Sequence, residues 1–515
     1  MIVRAAGVPE NGVKLSDLMR ELRGGCTLRG DGETRVFGVH HDSRKVEPGD
    51  LFVARTGGKT AGSAFVGQAR DRGAVAVLAA RSEAEKLEGE TLPLIVADDV
   101  ADAFAYAAAA IHGHPSFTLD VIGITGTNGK TTTTHLVRDA IDAAEGASKC
   151  GLVGTVGHSF GDFVVDAEHT TPEADELARV MAEMRSRGAT YVAMEVSSIA
   201  LDLGRVRAVR FRTAAITNFT QDHLDFHGSM AAYAAAKKKL FRECAPGSVV
   251  ANISDSLGIA IADDPRAPLV RVSAIPGQNA DVVPVDLKID AAGIKATFAT
   301  PKGEARIESR LFGAHNVENM AVALGVIVAL DLDVRKAAAG LSAAAGPPGR
   351  LERCDAEGDD VTVLVDYAHT PDALVRSLES VRAICKGRVL CVFGCGGDRD
   401  TTKRRPMGEA VAKNAAVAIL TNDNPRTEDP EKIAAEVISG LEAGGMQRGP
   451  NGFTVELDRA RAIRLAIEIA RPGDAILVAG KGHETYQIVG SEKRSFDDRV
   501  EARDALVLRR EIGKR

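Results

Sequence analysis

Residues 121–133 read Val121-Ile122-Gly123-Ile124-Thr125-Gly126-Thr127-Asn128-Gly129-Lys130-Thr131-Thr132-Thr133. A short apolar strand over 119–124 enters a glycine-rich turn. An amphipathic helix leaves it, with Leu136, Val137, Ala140 and Ile141 at helical spacing. A strand, a glycine loop and a helix N-terminus together form an anion cradle, because loop N–H groups point inward and the helix dipole adds positive potential. Lys130 supplies a point charge for the β- and γ-phosphates of a nucleotide, and the Thr131 hydroxyl is placed to ligate Mg²⁺. The strict spacing of this motif wants glycine at position 124, where the chain has isoleucine. Gly123 and Gly126 flank that position, so the loop is a variant. A tight strand–helix turn with an exposed lysine is the plainer alternative, and Gly-Lys-Thr-Thr after a buried strand argues against it.

Downstream, strands over 190–196 and 213–217 alternate with helices, which predicts a mainly parallel sheet. Glu195 ends the first of them, where an acid beside a phosphate loop can hold Mg²⁺. The alternative is a buried structural glutamate, which is costly unless paired. Residues 217–228 carry His223 and His227 among Asp222 and Asp225, a set suited to metal or phosphate contacts or to polar turns. A helix over 233–241 puts Lys237 on one face with Tyr233 and Phe241 through i,i+4 spacing. Asn316 and Asn319 fit the first turn of an alanine-rich helix, as caps or as nucleotide contacts.

The chain has 515 residues, too many for one core, and 45% of them are apolar. The net charge of −7 argues against non-specific nucleic-acid binding, and the lack of tryptophan disfavours base-stacking platforms. No signal-peptide core and no spanning apolar run is present, which predicts a cytoplasmic protein. Seven scattered cysteines form no Cys-x-x-Cys pair and read as buried hydrophobes. Three domains are expected, at 1–117, 118–346 and 347–515. In the first, strands are expected over 35–39, 50–54, 74–79 and 93–97, with helices over 64–72 and 100–111. Its Asp42-Ser43-Arg44 segment is equally readable as a ligand contact at a strand end or as a polar turn. In the third, strands over 361–365, 388–393, 417–421 and 475–478 each end in a polar or glycine-rich cluster. Four such clusters at strand carboxyl ends share one edge of a parallel sheet, where ligands bind. The fold class read here is α/β in three domains, the central one of phosphate-loop type with a mainly parallel sheet, the last a Rossmann-like doubly wound sheet.

These motifs together resemble the Mur ligases, the ATP-dependent amide-forming enzymes of peptidoglycan precursor synthesis. The carriers are Asp42-Ser43-Arg44, residues 125–132, His169-Thr170-Thr171-Pro172, Glu195-Val196-Ser197-Ser198, Asp222-His223-Leu224-Asp225, residues 233–241, His315-Asn316 with Asn319, Gly349-Arg350 and Asp366-Tyr367-Ala368-His369. Asp423-Asn424-Pro425-Arg426 and Gly480-Lys481-Gly482-His483-Glu484 are similar to the members that add diaminopimelate. The resemblance implies ATP held by Gly126, Thr127, Asn128, Gly129, Lys130, Thr131, Thr132, Asn316, Asn319, Arg350 and Asp366. It implies Mg²⁺ at Thr131, Glu195, His223 and Lys237, the last as a carbamate. It implies UDP-N-acetylmuramoyl-L-alanyl-D-glutamate at Ser43, Thr170, Thr171, Ser197 and Arg205, and meso-diaminopimelate at Arg399, Asp423, Asn424, Arg426, Gly480 and Glu484. Lys130, Glu195, His223 and Lys237 are then the catalytic set. The chain is read as a monomer with no nucleic-acid or membrane partner. Two departures bear on dipeptide contact: Ile199 stands where the family often has histidine, and Leu203 where glutamine is common. Rivals are a folylpolyglutamate synthetase, a lysine-adding member of the superfamily, and a nucleotide-dependent switch without ligase chemistry.

Overall fold

The computed structural model describes residues 6–55, 61–290, 293–356 and 358–513. Its three main sheets have five, eight and six strands. In the first, Gly38–His40, Asp50–Ala54, Ala76–Ala80 and Leu94–Ala97 run parallel, with Thr27–Arg29 antiparallel on one edge. The strand expected over 35–39 is split. Arg35–Val36 pairs with Val13–Lys14, whereas Gly38–His40 joins the parallel sheet. Phe37 sits at the break, its N–H donating to the Gly49 carbonyl at 2.9 Å. The helix expected over 64–72 is a 3-10 turn, Gly62–Phe65, followed by a shorter α-helix, Val66–Asp71. The helix Val100–Ile111 forms as expected, capped by the Asp99 carboxylate. It packs on Ala174 and Ala178 of the next region, so the first sheet shares a core with the central one.

The central sheet is mainly parallel. Cys150–Gly154, Tyr191–Glu195, Asp120–Thr125, Phe211–Ile216, Val249–Asn252 and Leu269–Val272 are parallel neighbours in that order. An antiparallel hairpin, Gly157–Phe160 with Phe163–Val165, extends one edge. The strand entering the phosphate loop is therefore in the middle, with Glu195 paired to Ile124 beside it. Leu136, Val137 and Ile141 on the following helix are fully buried against the sheet. At about 1.5–3 kcal/mol per side chain, that face alone fixes the helix onto the sheet. A three-stranded antiparallel sheet, Val283–Asp290, Gly293–Thr300 and Gly303–Ser309, lies beyond and was not anticipated.

The C-terminal sheet runs Thr362–Asp366, Ala475–Ala479, Val389–Phe393, Val417–Leu420 and Phe453–Val455, all parallel, with the short Glu352–Arg353 antiparallel at the edge. The last parallel strand in sequence inserts beside the first. Leu374, Met407 and Val437 pack on one face, and Ile463, Ala466 and Leu506 on the other. That is a doubly wound sheet, and the four polar clusters do share its carboxyl edge. Among the described residues, no helix is long and apolar enough to cross a membrane.

Candidate active site

The helix Lys130–Glu145 starts at Gly129, which has φ 82° and offers no side-chain cap. Its first N–H groups are left for an anion. A Cβ on Gly129 would collide with the Asn319 amide, and one on Gly126 with the Thr217 hydroxyl, so both positions need glycine. Ile124 explains the variant spacing: it stays in the strand, fully buried, and the loop is correspondingly short. The Lys130 Nζ donates to the Gly126 and Thr127 carbonyls at 3.0 and 2.9 Å. The Lys237 Nζ donates to the same Gly126 carbonyl at 2.7 Å and lies 4.4 Å from the Tyr233 ring centroid. Burial lowers the basicity of both amines. For Lys237 the shift is large, and the Lys130 charge adds to it. Each amine is therefore a weaker base here than an exposed lysine.

Glu195 is 1% exposed and fully engaged. Its Oε2 accepts from the Thr131 hydroxyl at 2.9 Å, and its Oε1 from the Thr155 N–H at 2.8 Å. The Thr155 hydroxyl bridges Glu195 to Thr170 at 3.2 and 3.1 Å. The Thr171 hydroxyl donates to the Glu195 carbonyl at 2.9 Å and accepts the Ser197 N–H at 3.0 Å. Arg205 donates to the Thr171 carbonyl at 2.9 Å and pairs with Glu173 at 2.7 Å. Four of the five residues expected to meet the muramoyl dipeptide are thus contiguous with Glu195. Ser43 is apart, at the end of the first sheet, donating to Gln68 at 2.7 Å. Two ion pairs join its region to the same loop: Lys45 with Glu168 at 3.0 Å and Arg55 with Glu173 at 2.6 Å. Ile199 lies within the short helix Ser198–Asp202 and Leu203 is its C-cap, both half-buried.

The cleft over the phosphate loop is lined by Lys130, Thr131, Glu195, His223, Asn316 and Arg350, together with Asp366. Burial lowers the basicity of His223, and Lys130 and Lys237 oppose its protonation while Asp222 favours it. Asn319 donates to Asn316 at 3.0 Å and accepts from Thr133 at 3.1 Å, which rules out simple helix capping for Asn319. The Arg350 guanidinium donates to the Thr131 hydroxyl at 3.2 Å and stacks 4.5 Å from the Tyr367 ring centroid. Asp366 uses both oxygens locally, accepting from Leu351, Ala368 and Ser377. It shapes the linker that carries Arg350. Gly349 packs so close to the Gly482–His483 backbone that no side chain fits there.

In the loop after the strand Val417–Leu420, Arg426 holds a left-handed φ of 52°. Such backbone strain persists only where surroundings enforce it. Here the hairpin Tyr486–Val489 and Glu492–Ser495 does so: the Arg426 N–H donates to the Ile488 carbonyl at 3.1 Å, and its carbonyl accepts from Gly490 at 2.7 Å. Among the described residues, the Arg426 guanidinium donates only to the carbonyls of Gly397 and Asn424, at 2.8 and 3.4 Å. Asn424 donates to Glu484 at 3.0 Å. Gly480 follows the strand end, its N–H on the Asp366 carbonyl at 3.0 Å. Arg399 is exposed and donates only to the Asp398 carbonyl, so it stands outside the tight part of the cluster.

Residues 35–112 match the Mur ligase family catalytic domain, 124–327 the Mur ligase middle domain, and 349–482 the Mur ligase glutamate ligase domain. The chain is 43% identical to a UDP-N-acetylmuramoyl-L-alanyl-D-glutamate–2,6-diaminopimelate ligase of Gloeobacter violaceus, over 97% of this chain and 99% of that one. The chain belongs to the Mur ligase family. A ligase of the same name from Streptomyces coelicolor is 44% identical, with 92% and 93% covered. A solved structure of that name superposes with a TM-score of 0.67 at 32% identity, covering 97% and 99%.

As a Mur ligase, the chain is an ATP-dependent acid–amino acid ligase. Its site includes groups that the sequence reading did not single out. Thr155 follows the strand Cys150–Gly154, whose glycines hid it. Asn218 accepts the Asn128 N–H at 2.9 Å and so shapes the Mur ligase phosphate loop. Asp372 accepts from Asn128 and Thr220, at 2.9 and 3.2 Å, and from Arg376 at 3.1 Å, joining the helix Pro371–Ile384 to the loop. Lys481, quoted above within its motif but given no role, is buried among Asp423, Asn424 and Glu484. The donor set around Thr131 and Glu195 suits a hard divalent cation, because a hydroxyl and a carboxylate oxygen already meet at 2.9 Å. Among the described residues, no three His, Cys, Asp or Glu side chains cluster as a self-sufficient metal site.

Proposed function

We propose that this Mur ligase joins meso-2,6-diaminopimelate to the D-glutamate γ-carboxyl of UDP-N-acetylmuramoyl-L-alanyl-D-glutamate, with ATP, in peptidoglycan precursor synthesis. The observation that carries the acceptor is Arg426: a guanidinium held in a strained backbone, with no carboxylate partner among the described residues, on the same loop as Asp423 and as Asn424, which donates to Glu484. That pairing suits an amino acid whose far end bears both an ammonium and a carboxylate. A lysine side chain offers only the first.

The labour divides by domain. Residues 1–117 hold the UDP end near Ser43, residues 118–346 hold ATP, and residues 347–515 hold the amino acid. The γ-carboxylate oxygen attacks the γ-phosphorus and the bond to ADP breaks, giving an acyl phosphate. The diaminopimelate amine attacks the acyl carbon, the tetrahedral adduct loses phosphate, and the amine proton leaves to solvent or phosphate. A carboxylate is already nucleophilic, so catalysis is positioning and charge neutralisation. Lys130 leaves its loop carbonyls to meet the β/γ-phosphates, and Arg350, seated on Thr131, offsets charge from the hinge side. Thr171 and Ser197 align the dipeptide against Glu195. Mg²⁺, when bound at Thr131, Glu195, His223 and carbamylated Lys237, supplies neutralisation of phosphate charge. Closure of the last domain about Gly349 keeps water from the acyl phosphate.

The test is phosphate release with ATP, Mg²⁺ and the UDP-muramoyl dipeptide, with meso-diaminopimelate and L-lysine in parallel. Release and tripeptide formation with diaminopimelate alone is the expected result. Release with lysine instead would overturn the acceptor, and release with neither would overturn the ligase reading.

A further inference from the structure

The amino-acid cluster contains one charged group that no ligand role explains. Lys481 is completely buried. Its Nζ donates to Glu484 Oε2 at 2.8 Å and to Asn424 Oδ1 at 3.1 Å, and it lies 3.7 Å from Asp423 Oδ1. Glu484 Oε2 also accepts from Asn424 Nδ2 at 3.0 Å, so one side of that carboxylate is saturated by the protein. Asp423 Oδ1 is buried and has no hydrogen-bond partner. The other large buried cation nearby, Arg459, is already matched by Asp498 at 2.6 Å, both fully buried. Among the buried and half-buried groups here, two carboxylates, Asp423 and Glu484, stand against two cations, Lys481 and Arg426, and their formal charges cancel; Arg399 and Lys493 nearby are exposed and screened by solvent.

We propose that Lys481 is a specificity-determining positioning residue. Its buried ammonium balances Asp423 and Glu484, so that the cluster accepts an amino acid with a zwitterionic far end and turns away one with a bare ammonium. The proposal rests on the acceptor reading above. A zwitterion adds no net charge to a neutral site, and each of its ends finds an opposite partner: carboxylate on Arg426, ammonium on the exposed side of Glu484 and on Asp423. A lysine side chain adds an unmatched positive charge next to Arg426, which then faces no carboxylate. Without Lys481 the cluster becomes net negative. That favours the bare ammonium and frees the Glu484 side chain from the orientation that suits diaminopimelate.

The experiment compares wild type with Lys481→Met, Lys481→Gln and Lys481→Arg, measuring kcat and KM for meso-diaminopimelate and for L-lysine. Wild type comes first: if it does not use diaminopimelate, the acceptor reading fails, separately from this inference. With that established, the kcat/KM preference for diaminopimelate over lysine falls by at least about tenfold in the Met and Gln variants, the factor that 1.4 kcal/mol represents. The change appears as a raised KM for diaminopimelate and a gain in lysine use, while KM for ATP is unmoved. The Arg variant keeps most of the preference. Equal losses for both amino acids in the Met or Gln variant would make Lys481 merely structural and overturn the proposal, as would an Arg variant no more selective than Met. If the Met variant lacks native near-UV circular dichroism, the Gln variant decides.

Discussion

The phosphate cradle and the cluster around Arg426 treat charge in opposite ways. In the cradle, charged groups bond to the cradle itself. Lys130 and Lys237 share the Gly126 carbonyl, and Glu195 is saturated by Thr131 and Thr155. In the amino-acid cluster, groups are fixed from behind and aimed forward. Arg426 is stapled through its backbone to a hairpin, and Asp423 keeps a buried oxygen without a donor. The first arrangement has to be rearranged by its ligand, so removing a member should damage the chemical step. The second is already organised, so removing a member should damage recognition of one substrate and leave the rest intact.

Lys130→Ala is the largest expected effect. No other side chain on the loop can bring a positive charge to the phosphates, and a loss of about 10³-fold or more in turnover follows from deleting such a preorganised charge. Near-normal phosphate release would remove Lys130 from the mechanism. Lys237→Arg comes next, with a loss of about 10²-fold or more. Arginine keeps a nitrogen donor near the Gly126 carbonyl but cannot become a carbamate, so it should fare no better than Lys237→Ala. Intact-mass analysis of wild type at high bicarbonate should show the added CO₂ and lose it in both variants. Because burial and Lys130 lower the basicity of Lys237, its amine is neutral at pH values where an ordinary lysine is protonated. Acidification therefore protonates it and releases CO₂, and activity should fall on the acid side as the carbamate signal falls.

Arg426→Ala tests the other half of the comparison. Truncating one partner of a desolvated charge pair costs about 2–5 kcal/mol, so kcat/KM for diaminopimelate should drop by about 10²-fold. KM for ATP should hold. An equal rise in both KM values would mean that the two sites are not organised independently.

The same contrast governed what could be read from sequence. The cradle was legible because its chemistry is local: strand, turn and helix are contiguous, and Lys130 and Thr131 follow from spacing alone. Lys237 was also legible, since its i,i+4 partners Tyr233 and Phe241 bury the face it sits on. The four strand-end clusters of the last sheet were visible because each ends a short apolar run. The hairpin at 486–495 was not: its strands are half-buried or exposed and carry no alternating pattern, yet it fixes the Arg426 backbone. The strand at 150–154 was missed for its glycines, and with it Thr155. Phe37 interrupts a run that reads as one strand, because its backbone bonds to Gly49 and not to the sheet. Contacts between elements far apart in sequence, such as Asp372 with Asn128, leave no mark in local periodicity.

That last contact gives the smallest and sharpest test. Asp372 sits in the first turn of Pro371–Ile384, on the body that carries the amino-acid cluster, and its one oxygen takes hydrogens from Asn128, Thr220 and Arg376. It is the joint between the two halves of the comparison. Its side chain is about one-third exposed, at 35%, so solvent screens part of its attraction to Arg376 at 30%. Asp372→Asn keeps the shape and removes the charge, which should cost on the order of 1 kcal/mol, or about fivefold. If Asp372 aligns the phosphate loop, KM for ATP rises by that factor and KM for diaminopimelate stays. If it instead holds the last domain closed, both rise together, and kcat falls because the acyl phosphate is lost to water. Excess phosphate released over tripeptide formed would mark that second outcome directly, since a leaking closure consumes ATP without making the amide.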